Sequence, residues 1–240
     1  MLAIETKNLT KKYKEKIAVN EINLKINQGE LFALLGTNGA GKTTTIKMLS
    51  TLILPTDGKI KINGLDIIKD RQKIKEILNV SPQETAIASN LSVKENLEFM
   101  AGVYQISNKQ EKINELIKMF KLEEVLNQKA KTLSGGWQRK VSIAISLINE
   151  PQILFLDEPT LGLDVIARKE LWAVIEKLKG KITIILTTHY MEEAESLSDR
   201  IGIMAKGKLI DIGTSKELIE KTGTKNFEDA FVKIATGGEL

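Results

Sequence analysis

The stretch GTNGAGKT, Gly36 to Thr43, constrains this chain more than any other. It follows LFALLG, an apolar run of strand length, and precedes KTTTIKMLSTLI, which reads as a helix stopped by Pro55. Such a loop points consecutive backbone N–H groups inward as an anion nest, and the helix opening near Lys42 aims its positive end at the same place. The full pattern G-x-x-x-x-G-K-[ST], with these flanks, predicts a phosphate cradle built from Gly36, Thr37, Asn38, Gly39, Ala40, Gly41, Lys42, Thr43 and Thr44. Lys42 is placed to reach β- and γ-phosphates, and the Thr43 hydroxyl to bind Mg²⁺.

The rest of the chain supplies the sheet that such a loop needs. LAIETKNLTKKY and IAVNEINLKINQGE alternate apolar and polar residues and read as antiparallel strands, with Gly29 in a turn. GKIKINGLDI reads as a hairpin, and ILNVSPQ as a short strand ending at Pro82. From about Glu84 to Thr132 the spacing becomes helical, in SVKENLEFMAGVY and KQEKINELIKMFKL, with Ser92 and Glu95 forming a capping box. An apolar helix, VSIAISLI, stops at Pro151. ILFLDEP and KITIILTTH are buried strands, each followed by a helix. RIGIMAKGKLIDIG closes as a hairpin and FEDAFVKIA as a last helix. Buried strands alternating with helices predict an α/β fold with a parallel core, preceded by an antiparallel β layer and interrupted by an all-helical insertion.

Composition excludes several classes. The chain has 240 residues, 42% hydrophobic and 28% charged, which is globular and large enough for one large domain or one domain plus a subdomain. It contains no cysteine, hence no disulfide framework and no Cys-ligated zinc. The start MLAIETKNLTKKYK is not a secretory signal, and no apolar run reaches the roughly 20 residues of a membrane helix. The formal charge is +4 and the lysines are scattered, so nucleic acid is not an expected partner.

Three further positions fall where an open α/β sheet binds ligands, the carboxyl edge. Asp157 ends the strand ILFLD and is placed to hold Mg²⁺ through water; Glu158, one residue further, clears the metal and can polarise an attacking water. His189, the chain's one histidine, follows ITIILTT onto the same edge and can contact a γ-phosphate or Glu158. Gln83 lies where the helical insertion begins, within reach of Mg²⁺ and the water. Tyr13, between lysines in the first β layer, can stack on adenine or simply sit exposed in its hairpin.

LSGGWQRK, Leu133 to Lys140, places a second glycine turn at the head of a helix. Ser134 is an N-cap by residue type, and Gly135 and Gly136 leave the backbone N–H groups unobstructed. This is a second anion site, without a lysine of the first kind. If it cannot share the chain's own nucleotide, the simplest arrangement is a two-fold pair, each Ser-Gly-Gly closing over the partner's γ-phosphate. The alternative is a glycine-assisted helix start that binds nothing.

Taken in order, GTNGAGKTT, SPQ, LSGGWQRK, ILFLDEPTLGLD and TTHYMEEAESLSDRI resemble the nucleotide-binding subunit of an ATP-binding cassette transporter over nearly the whole chain. The resemblance implies a P-loop NTPase (RecA-like) core over residues 1–83 and 133–222, a helical subdomain over 84–132 that docks a membrane partner, and a C-terminal helix over 223–240. It implies ATP and Mg²⁺ as cofactors, with Thr43, Gln83 and Asp157 around the metal. It makes Glu158 the catalytic base, His189 the switch histidine, Gln83 the glutamine of the Q-loop and Tyr13 the adenine-stacking aromatic. Ser134, Gly135 and Gly136 would act in trans, and Leu161–Asp164 would cross a dimer interface. ATP would close two cassettes, identical or paired, and hydrolysis would reopen them. That motion would drive a separate integral-membrane permease, with the cassette in the cytoplasm, peripheral on the inner face of the membrane.

One departure stands out. The family's commonest signature is LSGGQ, whereas Trp137 occupies the fifth position here and Gln138 follows. With EPTLGLD and HYMEEAE, this resembles the branch of drug, antibiotic-resistance, sodium and polysaccharide exporters. A soluble cassette ATPase acting on nucleic acid or the ribosome is the alternative, but such relatives usually carry long coiled coils or two cassettes. A GTPase reading fails on DRIG and NKQE, which stand in the wrong order.

Overall fold

The computed structural model describes residues 1–238. The chain opens with β1 (Leu2–Tyr13), β2 (Lys16–Asn27), β3 (Leu31–Gly36) and α1 (Lys42–Leu49). Next come β4 (Asp57–Ile62), β5 (Leu65–Asp66), α2 (Arg71–Ile77) and β6 (Leu78–Ser81). Helices α3 (Val93–Val103), α4 (Lys109–Phe120) and α5 (Gly135–Ser146) follow, with 3₁₀ turns at Glu123–Val125 and Ala130–Thr132. The last part contains β7 (Ile153–Asp157), α6 (Val165–Leu178), β8 (Thr183–Thr188), α7 (Met191–Leu197), β9 (Arg200–Ala205), β10 (Lys208–Gly213), α8 (Ser215–Thr222) and α9 (Phe227–Thr236).

The strands form two sheets. One is antiparallel, in the order β2-β1-β4-β5; the other has six strands in the order β10-β9-β3-β8-β7-β6. Within the six, β3, β6, β7, β8 and β9 run parallel and β10 alone turns back. That turn is Lys206-Gly207, both at positive φ, the geometry that matches strand twist in a two-residue hairpin.

Strands β3, β7 and β8 are buried at every residue because both faces of the sheet are covered. Their side chains divide by parity. Phe32, Leu34, Ile153, Phe155 and Ile185 pack with α1 and the antiparallel layer. Leu31, Leu154, Leu156, Ile184 and Leu186 pack with α3, α4, α5 and α6. The helical insertion therefore has no core of its own: Val93, Leu97, Ile113, Leu116 and Phe120 belong to the same cluster as Leu154 and Leu156. Ala33, Leu35, Ile201 and Ile203 meet α7, α8 and α9 in a third cluster.

The expected helix after the glycine loop is shorter than KTTTIKMLSTLI. It stops at Leu49, capped by Ser50, and Thr51 takes a φ of 65°, so the chain has left the helix well before Pro55. Two further helices, α2 and α8, are absent from the sequence reading. The capping box Ser92/Glu95 is present as expected, and a second one, Thr214/Glu217, opens α8. The last helix ends at Thr236; Glu239 and Leu240 lie outside the described residues.

Sheet contact between β1 and β4 depends on Gly58. Its φ is 91°, and a Cβ there would stand 2.4 Å from the Asn8 carbonyl oxygen and 2.7 Å from Leu9 Cα. Gly58→Ala is expected to lower stability by roughly 2–5 kcal/mol, from backbone strain plus overpacking, seen as a fall in the urea midpoint. An unchanged midpoint would mean that the β1–β4 contact yields easily.

Candidate active site

The parallel strands deliver the expected residues to one edge. A cleft of about 440 Å³ is lined by Asn38 to Thr44, Gln83, Glu158 and His189, together with Lys16, Ala18 and Leu161. The glycine loop is held against β2: a Cβ on Gly41, whose φ is 103°, would stand 2.6 Å from the Ala18 carbonyl oxygen. Only glycine fits, so the loop and the first β layer approach as closely as backbones can. Helix α1 starts at Lys42 with no side-chain cap, leaving its first N–H groups to the cleft.

Lys42 is buried and its Nζ lies 2.8 Å from the Gly36 carbonyl oxygen and 3.2 Å from Glu158 Oε1. Glu158 is equally buried; its Oε2 lies 2.6 Å from His189 Nδ1. With Glu158 ionised, only Nδ1 can supply the proton of that contact, which leaves Nε2 as the other ring nitrogen. Glu158 has a φ of 50°, unusual for a residue with a side chain. Its N–H is fixed by the Thr187 carbonyl at 3.1 Å and the Thr187 hydroxyl at 3.0 Å. Strain held in place by neighbours is typical of functional positions.

Asp157 Oδ1 accepts from Thr43 Oγ1 at 3.1 Å and from Thr187 Oγ1 at 2.5 Å. A hydroxyl beside a carboxylate at the mouth of a phosphate cradle is a hard-oxygen pair of the kind Mg²⁺ takes alongside substrate phosphates. Gln83 lines the cleft, and its backbone is held from behind. The buried Arg139 guanidinium, from α5, donates to Pro82 O at 2.6 Å, Gln83 O at 2.7 Å and Glu158 O at 3.2 Å. Burial pulls the Arg139 pKa down, while the charges of Asp157, Glu193 and Glu158 pull it back up.

Tyr13 is exposed and is not among the residues lining the cleft; it is the register partner of Lys16, which is. Ser134, Gly135 and Gly136 stand elsewhere. They line a separate hollow of about 500 Å³ with Trp137, Lys140 and the Gly162–Asp164 loop. Ser134 occupies the N-cap of α5 but its hydroxyl makes no bond to the helix. A Cβ on Gly135 would meet nothing within 4 Å, so packing inside this chain does not require glycine there. Trp137 faces the hollow with Lys140 Nζ 4.4 Å from its ring centroid. Gln138 donates to the Ala130 and Leu133 carbonyls, both at 3.2 Å, so it does not replace a glutamine at position 137.

Lys16, Ala18 and Arg139 escape sequence reasoning. The first two belong to no motif, and Arg139 reads as the polar side of a helix until the fold buries it. Leu161, expected only at a dimer interface, also lines the cleft.

This architecture defines a class, the P-loop ATPases built as cassettes, with an antiparallel layer and a helical insertion around the nucleotide cleft. The chain belongs to the ABC transporter family, whose sequence profile matches residues 19–161. It is 42% identical to the human "Phospholipid-transporting ATPase ABCA3" over 226 residues, which is 92% of this chain and 13% of that protein. It is 36% identical to the "Linearmycin resistance ATP-binding protein LnrL" of Bacillus subtilis (strain 168), over 98% of this chain and 75% of that protein. The chain thus spans a small part of the human relative and most of the bacterial one. Among solved structures, the dimeric post-hydrolysis state of the ATP-binding cassette MJ0796 bound to ADP and Pi matches with a TM-score of 0.80 at 28% identity, covering 88% of this chain and 98% of that one.

Proposed function

We propose that the chain binds ATP and Mg²⁺ in the cleft at Gly36–Thr44, pairs with a second cassette, and hydrolyses ATP to power export by a separate membrane permease. The observation that carries this reading is the separation of two anion sites: the Ser134 hollow shares no lining residue with the nucleotide cleft. Leu161, Val165 and Ile166, beside the hollow, are exposed apolar residues that a second cassette would cover. The names of the relatives, one a phospholipid-transporting ATPase and one a linearmycin-resistance protein, favour export.

In the proposed reaction a water oxygen attacks the γ-phosphorus in line, the bond to the β–γ bridging oxygen breaks, and ADP leaves. Glu158 orients the water and takes its proton; His189, bonded to Glu158, holds that carboxylate in place. Lys42 and the N–H groups at the start of α1 stabilise charge on the phosphates, and the partner's Ser134 helix closes the other side. Thr43 and Asp157, with Gln83, would hold Mg²⁺, which when bound neutralises phosphate charge. Tyr13 would stack on adenine beside Lys16.

Among the described residues no helix is long and apolar enough to cross a membrane. The permease is proposed to dock in a largely apolar groove between the α1–β4 connection and the helical insertion, lined by Leu52, Arg71, Val80, Pro82 and Tyr104. Phe99 and Val103 extend the apolar surface along α3. In this reading the cassette would work in the cytoplasm, against the inner face of the membrane.

Light scattering on Glu158→Gln protein tests the pairing. The mass should double with ATP and not without it, and Ser134→Arg should abolish the doubling. A monomeric mass under saturating ATP would overturn self-pairing through the Ser134 site.

A further inference from the structure

Glu193 is fully buried, yet no step above uses it. It lies in α7, the helix entered directly from His189 and Tyr190. Its Oε1 accepts from Thr160 Oγ1 at 2.8 Å and from Trp172 Nε1 at 3.0 Å. Thr160 is buried two residues beyond Glu158, and Trp172 belongs to α6. Oε2 is buried with no hydrogen-bond partner of good geometry, and the Thr188 hydroxyl lies beside the carboxyl group. Burial pushes the carboxyl above its usual range, the Thr188, Thr160 and Trp172 contacts pull it down, and the charge of Glu158 pushes it up again.

A buried acid is costly, and an apolar side chain would fill the space without that cost. What only a carboxyl or carboxamide supplies is an acceptor shared by two elements. One is the loop leaving Glu158, the other is α6, and the acceptor itself rides on the helix leaving His189. Glu158 and His189 meet at 2.6 Å, so a shift of either loop opens that contact.

We propose that Glu193 is a positioning residue for the Glu158–His189 pair: by binding Thr160 and Trp172 on one oxygen it locks the loop after Glu158 against the helix after His189. The inference rests on the reading of Glu158 as the base. Its effect belongs in turnover and not in ATP affinity, because Glu193 does not line the nucleotide cleft and its hydrogen bonds go to Thr160 and Trp172. The Gln side chain keeps the acceptor oxygen and adds an N–H₂ that can donate to Thr188, so it should preserve the lock.

The experiment measures ATP hydrolysis, ATP affinity by calorimetry and thermal midpoint for Glu193→Leu, Glu193→Gln, Thr160→Val and Glu158→Gln. Glu193→Leu should lose about 10- to 100-fold in kcat with ATP affinity kept within about threefold. Thr160→Val, which removes one donor at constant shape, should lose a smaller factor, and Glu193→Gln should restore most of the turnover. If Glu193→Leu and Thr160→Val turn over at the wild-type rate while Glu158→Gln does not, the positioning role is overturned and the base stands. If Glu193→Leu loses turnover and affinity together and Glu193→Gln does not restore them, the residue serves folding alone and the proposal is equally overturned. Should Glu193→Leu fail to fold, Thr160→Val and Glu193→Gln decide: wild-type turnover in Thr160→Val or loss in Glu193→Gln overturns it. An active Glu158→Gln would instead remove the base on which the inference rests.

Discussion

Glu158→Gln protein is expected to bind ATP close to normally and to turn it over about 10²- to 10⁴-fold more slowly, the range of a lost general base. The substitution is nearly isosteric, so the 2.6 Å approach to His189 and the two bonds to the Glu158 N–H can survive it. What disappears is the group that receives a proton from water. Lys42 also loses the negative side of its ion pair, and its ammonium is then free for phosphate, so affinity should hold or rise. Single-turnover hydrolysis beside a binding titration checks both halves. Turnover within a few-fold of wild type would remove Glu158 as the base.

Lys42→Ala should weaken ATP binding by about 3 kcal/mol or more, on the order of a hundredfold in Kd. Lys42 and Glu158 have side chains only 6% exposed, so removing the ammonium leaves a buried carboxylate facing the place where phosphates sit. Lost attraction and new repulsion act together. A loss confined to kcat would instead make Lys42 a transition-state contact with no role in ground-state binding. Near-normal affinity would remove the glycine loop from the nucleotide site.

Much of this site is legible in the sequence because phosphate chemistry fixes residue types at short spacing. Gly36 to Thr44 link one strand to one helix, Asp157 ends a second strand with Glu158 just beyond it, and His189 follows a third, so three separate strings predict one edge. The antiparallel layer was readable as strands, although bulges break its period of two: the buried positions run Ala3, Ile4, Thr6 and Leu9 in β1, and Val19, Ile22, Leu24 and Ile26 in β2. What could not be read has a common cause. Arg139 and Glu193 are charged residues on helices, where the sequence gives polar periodicity and solvent is the ordinary expectation; only the packed fold buries them. Helix α2 carries Ile74 as its one buried residue over seven positions, too little pattern to see. Helix α8 did carry a signal, Thr214 three residues before Glu217, and that capping box would have found it.

The shared core of the helical insertion has a mechanical consequence. Had residues 84–132 folded around an interior of their own, a force on α3 could be absorbed by a hinge at the boundary. Instead Val93 and Leu97 of α3 are packed in one cluster with Leu154 and Leu156, the residues of β7 that lead directly to Asp157 and Glu158. Close-packed interiors are stiff and transmit strain. A load applied at Phe99 and Val103 is therefore passed inward to the strand that aims the acids, and a rearrangement at that strand's end is passed outward by the same route. Surface and site are joined through one packed cluster.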